Sequence, residues 1–253
     1  MWELEAARAG LREAELSVTA GVVLGFTIFA AACMQASIGF GMGMLAAPIV
    51  ALIDPGLIPG TLIMLATTVT VLVLLQERAS LDLHGAGWAL VGRVVGTAAG
   101  AGLLVLIPER GLSVLLALAV LAGAAVTVLG WQPPPLPRNL AVAGAASGLF
   151  GTATSIGGPP MALVLQGSSG ARLRATMSGF FLVGSIVSLV VLAATGSIHR
   201  DNAVAFVVLI PVTVLGYLAS RYVNRWLDPV RLRKVSIAVS CFGALLLIGR
   251  QLM

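Results

Sequence analysis

The chain of 253 residues is poor in charge: 10% of them are Asp, Glu, Lys or Arg, against about 25% in a soluble globular domain. Lysine is nearly missing. Lys234 stands alone beside fourteen arginines, so the formal charge of +5 is carried by guanidinium groups. Most of these arginines lie in short segments between apolar runs, where they set membrane topology, and no nucleic-acid partner is expected. The two cysteines, Cys33 and Cys241, sit inside apolar runs without a second Cys or a His at ligand spacing. That argues against a structural disulfide or a zinc site, and no cofactor is expected. Histidine is equally sparse. Ser147-Gly148 is partly similar to a Gly-x-Ser-Gly protease motif, but position 145 is Ala, and His84 and His199 both fall between spans. Nucleophilic catalysis needs the base within hydrogen-bond reach, so no enzyme is expected. Asp54, Glu77, Asp82 and Asp201 also read as loop acids, which leaves no buried carboxylate as a proton relay.

What the chain has is apolar surface. Hydrophobic residues make up 58% of it, mean hydropathy is +1.04, and there are 30 glycines. This composition predicts an all-α polytopic membrane protein in contact with the lipid bilayer, its glycines allowing close helix packing. Residues 1–16, with acids and arginines alternating before the first apolar run, read as an interfacial segment rather than a cleaved signal. The run Ser17 to Ala36 is long enough to span, and is followed by Ser37-Ile38-Gly39-Phe40-Gly41-Met42-Gly43. Met42 to Ile53 then covers only roughly 18 Å at the helical rise, about half the hydrocarbon core. Spans over Leu57–Leu75, Gly85–Ile107 and Gly111–Leu129 complete residues 17–130.

A Pro-rich linker over 131–138 separates this part from residues 139–253, which repeat its order. Leu140 to Thr152 runs into Ser155-Ile156-Gly157-Gly158-Pro159-Pro160, a short helix follows over Met161–Leu165, and spans come at Ala175–Ala194, Ala203–Tyr222 and Val230–Ile248. Ser37-Ile38-Gly39 falls on Ser155-Ile156-Gly157, and Gly96 on Gly216. The expected architecture is two inverted repeats of about five segments, each with a broken or re-entrant hairpin. With each break as a hairpin tip, nine cationic residues lie on one face (Arg78, Arg138, Arg172, Arg174, Arg221, Arg225, Arg231, Arg233, Lys234) and five on the other. The first face is then cytoplasmic, and both termini are extracytoplasmic in the cell inner membrane.

The Gly-rich break with Pro48 beyond it, its repetition over Gly151 to Pro160, and Gly216 to Arg221 followed by Leu227-Asp228-Pro229 resemble the TauE/SafE sulfite exporter family. The resemblance spans about residues 20–250. It implies a secondary transporter that exports sulfite, an organosulfonate or a related small sulfur or carboxylate anion. The alternative is a passive anion channel or a structural membrane partner. The class allows proton coupling, and faces of small residues serve internal packing and a homodimer alike.

A chain leaves helical geometry inside a membrane only where it is buried in protein or lines a wet cavity. At such a break, unpaired N–H groups at the helix start and glycine's open approach suit an anion. The expected substrate-binding residues are Ser37, Gly39, Phe40, Gly41 and Gly43 of the first break and Thr154, Ser155, Gly157, Gly158 and Pro159 of the second. Gln35 and Gln166 either orient substrate or satisfy freed backbone groups, and the glycines also suit plain helix packing. Thr67, Thr68, Ser185 and Ser188 lie mid-span, where hydroxyls commonly bond back to their own helix. Arg93 lies nine residues into its span without an acid there. It reads either as the counter-charge of the substrate or as a side chain snorkelling to the surface.

Overall fold

A computed structural model describes the backbone of residues 2–128, 133–165, 167–168, 170–226 and 229–252, with side chains mainly over 18–125 and 133–223. Among the described residues ten α-helices follow one another: α1 (Trp2–Ile38), α2 (Met42–Ile53), α3 (Gly60–Glu77), α4 (Leu83–Leu106), α5 (Glu109–Val128), α6 (Pro137–Thr154), α7 (Gly158–Leu165), α8 (Gly170–Ala194), α9 (Arg200–Trp226) and α10 (Pro229–Leu252). Among the described residues, five helices (α1, α3, α4, α8 and α9) are long and apolar enough to cross a membrane. The all-α polytopic fold is thus as expected, and α1 continues unbroken from the segment over 2–16 into the first span.

Helix ends follow local chemistry. α2 stops at Asp54, whose Oδ1 accepts the Gly56 N–H at 2.9 Å and starts a one-turn 3-10 helix over Pro55–Leu57. Ile58 precedes a proline, is held extended at φ −104° and ψ 138°, and delays α3 to Gly60, three residues later than expected. Asp82 caps α4, accepting the Gly85 N–H at 3.1 Å, and receives a hydrogen bond from Arg172 of α8 at 2.9 Å. Those two donors, the Gly85 N–H foremost, hold its carboxyl below the usual range.

The closest helix contact is α4 on α6. Gly92 and Gly96 lie so near the Ala141 and Ala145 carbonyl oxygens that a Cβ on either would overlap them. Gly144 and Gly148 meet the Ala89 and Arg93 carbonyls in return. Spaced four apart on both helices, these glycines form one stripe and let two backbones touch, the packing that supplies association where lipid gives no hydrophobic gradient. On the opposite side α1 packs along α9, and Gly216 is pressed against the Phe29 carbonyl in the same way. α3 packs on α8 and α5 on α10, while α2 contacts α10 and α7 contacts α5. In those last two pairs Pro48 rests on Gly243 and Pro159 on Gly123.

Candidate functional site

Both predicted breaks are present. α1 ends at Ile38, and Gly39 (φ +86°) and Gly41 (φ +125°) turn the chain before α2 begins at Met42. Backbone at these angles strains any residue with a Cβ, which is why glycine stands at both. α6 ends at Thr154, and Ser155 takes the left-handed conformation at φ +64° before α7 begins at Gly158. Pro159 and Pro160 thereby fall in the first turn of α7, where a missing N–H breaks no helical bond.

The breaks touch. A Cβ on Gly43 would overlap the Ser155 carbonyl oxygen, and one on Gly158 would come within 2.8 Å of the Phe40 ring. Between them lies a cavity of about 50 Å³. Phe40, Gly41 and Gly43 line it from the first break, and Ser155, Gly157 and Gly158 from the second. Gln35 and Arg93 complete the expected residues found there.

Arg93 projects inward and is 4% exposed, so it does not snorkel. Its Nη1 donates to Ser147 Oγ at 2.9 Å, and that hydroxyl donates to the Gly157 carbonyl at 2.6 Å. The guanidinium carbon lies 5.0 Å from the Phe180 ring centroid and 5.6 Å from that of Phe181. Gly184 leaves room for it, since a Cβ there would overlap Arg93 Nε. Nε itself has no hydrogen-bond partner, and among the described residues no acid pairs with Arg93. A cation enclosed in this way, lining the cavity and with one donor unmet, makes the cavity electropositive.

The remaining expected residues serve elsewhere. Ser37 donates to the Cys33 carbonyl at 2.8 Å, one turn back, and does not line the cavity. Thr154 donates to the Phe150 carbonyl at 2.7 Å. Gly39 packs 3.2 Å from the Arg174 Cα when a Cβ is placed on it. Pro159 lines a separate apolar groove of about 300 Å³ beside α5. Gln166 lies outside the described residues. Gln35 reaches the cavity, but its amide is committed: Nε2 donates to the Ala66 carbonyl at 3.0 Å and to Thr70 Oγ1 at 3.2 Å, while Oε1 accepts the Met42 N–H at 3.3 Å. One of the donors freed at the start of α2 is therefore already satisfied by protein.

Ser147, Phe181 and Gly184 were not expected at a substrate site. Ser147 precedes Gly148 just as Arg93 follows Gly92, so the paired glycine stripes of α4 and α6 carried the signal that the two side chains meet. Thr67 and Ser185 line the cavity too, each with its hydroxyl bonded back to its own helix, at 2.7 and 3.1 Å. A family model described as Sulfite exporter TauE/SafE matches residues 24–247. No curated protein and no solved structure gives a match.

Proposed function

The chain belongs to the sulfite exporter TauE/SafE family, a family of membrane transporters, and from that premise we propose that it exports sulfite, an organosulfonate or a related small oxyanion across the inner membrane by alternating access around the cavity between the two breaks. The observation that carries this reading is Arg93: a buried guanidinium with an unmet Nε–H and no carboxylate partner among the described residues, facing two helix starts. An anion placed there supplies the missing acceptor and the missing charge together. The Gly43 N–H at the first turn of α2 and the Gly158 N–H at the start of α7 add donors that replace its hydration shell, Pro159 and Pro160 having none to give.

Alternating access needs two bodies that rock against each other. The symmetry of the helix pairing supports residues 17–130 and 139–253 as two interlocked repeats joined by the linker over 131–138, with the tightest pairs, α4 on α6 and α1 on α9, each taking one helix from either repeat and moving as a unit. Exchanging each helix for the one five places along turns α4–α6 into α9–α1, α4–α8 into α9–α3 and α5–α7 into α10–α2, and all of these contacts occur. Arg174 and Arg221 on one face, with the other cations counted there, support a cytoplasmic side at the end of α3 and extracytoplasmic termini.

Counterflow in proteoliposomes tests the transport cycle. Vesicles loaded with unlabelled sulfite are expected to accumulate labelled sulfite transiently above equilibrium. A passive channel gives equilibration without overshoot, and a structural partner gives no uptake; either result refutes an exchange cycle.

A further inference from the structure

A second, polar cavity of about 210 Å³ lies one helical turn from the first, among α1, α3, α8 and α9. Gln76 and Glu77 of α3, Arg174 of α8 and Tyr217, Ser220 and Arg221 of α9 line it. Its floor is Ala36 and Val73. Ala36 is the neighbour of Gln35, and Val73 lies one turn beyond Thr70, so the layer between the cavities is the Gln35 amide with its bonds to Thr70 and Ala66. Gln76 and Arg221 are exposed, so this cavity is open at the end of α3.

Its chemistry centres on one ion pair. Arg174 Nε donates to both Glu77 carboxylate oxygens at 3.0 Å, and Nη2 adds a further bond to Oε1. Both side chains are mostly buried, 24% and 16% exposed. Glu77 was expected to be a loop acid, yet it is the last residue of α3 and faces this cavity. Arg221 has no ion-pair partner among the described residues. The Tyr217 hydroxyl contacts Gln76 Oε1 at 2.7 Å and the Leu72 carbonyl at 3.3 Å. The lining thus holds two cations and one carboxylate, and that carboxylate sits where a planar array of guanidinium donors would take an oxyanion in two-point fashion.

We infer that this cavity is an outer oxyanion subsite, in which the ligand displaces Glu77 from Arg174 and is held between Arg174 and Arg221 before the Gln35 layer opens to the central cavity. The inference rests on the reading of the paired breaks as the central anion site. Glu77 is the built-in competitor that keeps Arg174 paired when the subsite is vacant. Because Gly39 of the first break packs on the Arg174 backbone, release of Arg174 bears directly on the hinge beside Gln35. The groups facing Glu77 are Arg174 from α8 and Tyr217 and Arg221 from α9, with Arg78 next to it in sequence; α1 contributes only Ala36.

Equilibrium binding of labelled sulfite to the detergent-solubilised full chain at neutral pH tests this. Glu77→Gln is expected to add a second bound sulfite per chain, with at least about tenfold tighter binding at that subsite than in the unsubstituted protein. Adding Arg221→Gln to Glu77→Gln removes the second site. Adding Arg93→Gln to Glu77→Gln instead removes the central site and keeps the outer one, which separates failure of this inference from failure of the central reading. In case Glu77→Gln does not fold, the unsubstituted chain is titrated with labelled methanesulfonate beyond saturation of the central site. A weaker second site that Arg221→Gln abolishes is then expected. An unchanged stoichiometry in folded Glu77→Gln, or a second site in the unsubstituted chain indifferent to Arg221→Gln, overturns the inference.

Discussion

Arg93→Gln is expected to lose at least about thirtyfold in anion affinity while the unliganded protein keeps its fold. Truncating one partner of a buried, hydrogen-bonded charge pair costs about 2–5 kcal/mol, and each 1.4 kcal/mol is a tenfold change in affinity. The separation of fold from binding follows from the geometry. In the unliganded protein Arg93 is a buried cation with Nε unmet, so its removal relieves a desolvation penalty as well as deleting the bond to Ser147. Thermal unfolding with and without sulfite reads both effects: an unchanged or raised transition without ligand, and loss of the upward shift that ligand gives by mass action. Arg93→Lys does not restore binding, because an ammonium cannot bond Ser147, lie against Phe180 and Phe181 and still present a second donor edge.

Gly96→Leu is expected to be the most damaging single substitution to the fold. Extra volume in a packed core costs about 1–3 kcal/mol when side chains can shift. Here the obstruction is the Ala145 backbone, which cannot yield without separating α4 from α6. Separation would also draw Arg93 on α4 away from Ser147 on α6, so the outcome is loss of monodisperse protein together with loss of binding. Gly102→Ala on the same helix is the control: nothing lies within 4 Å of the added Cβ, and size-exclusion profile and thermal transition stay as they were.

The breaks were legible because their causes are local. Gly39, Gly41 and the Pro159-Pro160 pair announce positive φ or a first helical turn in a few residues, and the start of α2 at Met42 falls where the sequence puts it. The direction of side chains was not legible at that range. Ser37 was expected to donate to substrate, but a serine in the last turn of a helix has a carbonyl one turn back within reach, and that local bond wins. Gln35 was left between two roles, and the structure gives it the backbone role at Met42 and Ala66. The partners of Arg93 come from α6 and α8, dozens of residues away, and only the spacing of glycines hinted at one of them. Glu77 was misplaced for a related reason: its mate Arg174 lies 97 positions along the chain, and an acid at the end of an apolar run looks like any loop acid until its neighbour is known.

The central claim is that an oxyanion sits between the two breaks on Arg93. A crystal of the full chain with selenite, the heavier analogue of sulfite, measured at the selenium edge, tests it most directly. The account predicts an anomalous peak in the cavity between Gly43 and Gly157, placed so that a selenite oxygen lies within hydrogen-bond distance of the Arg93 guanidinium. Transport-competent protein saturated with selenite, with that cavity empty and Nε still unmet, would contradict it.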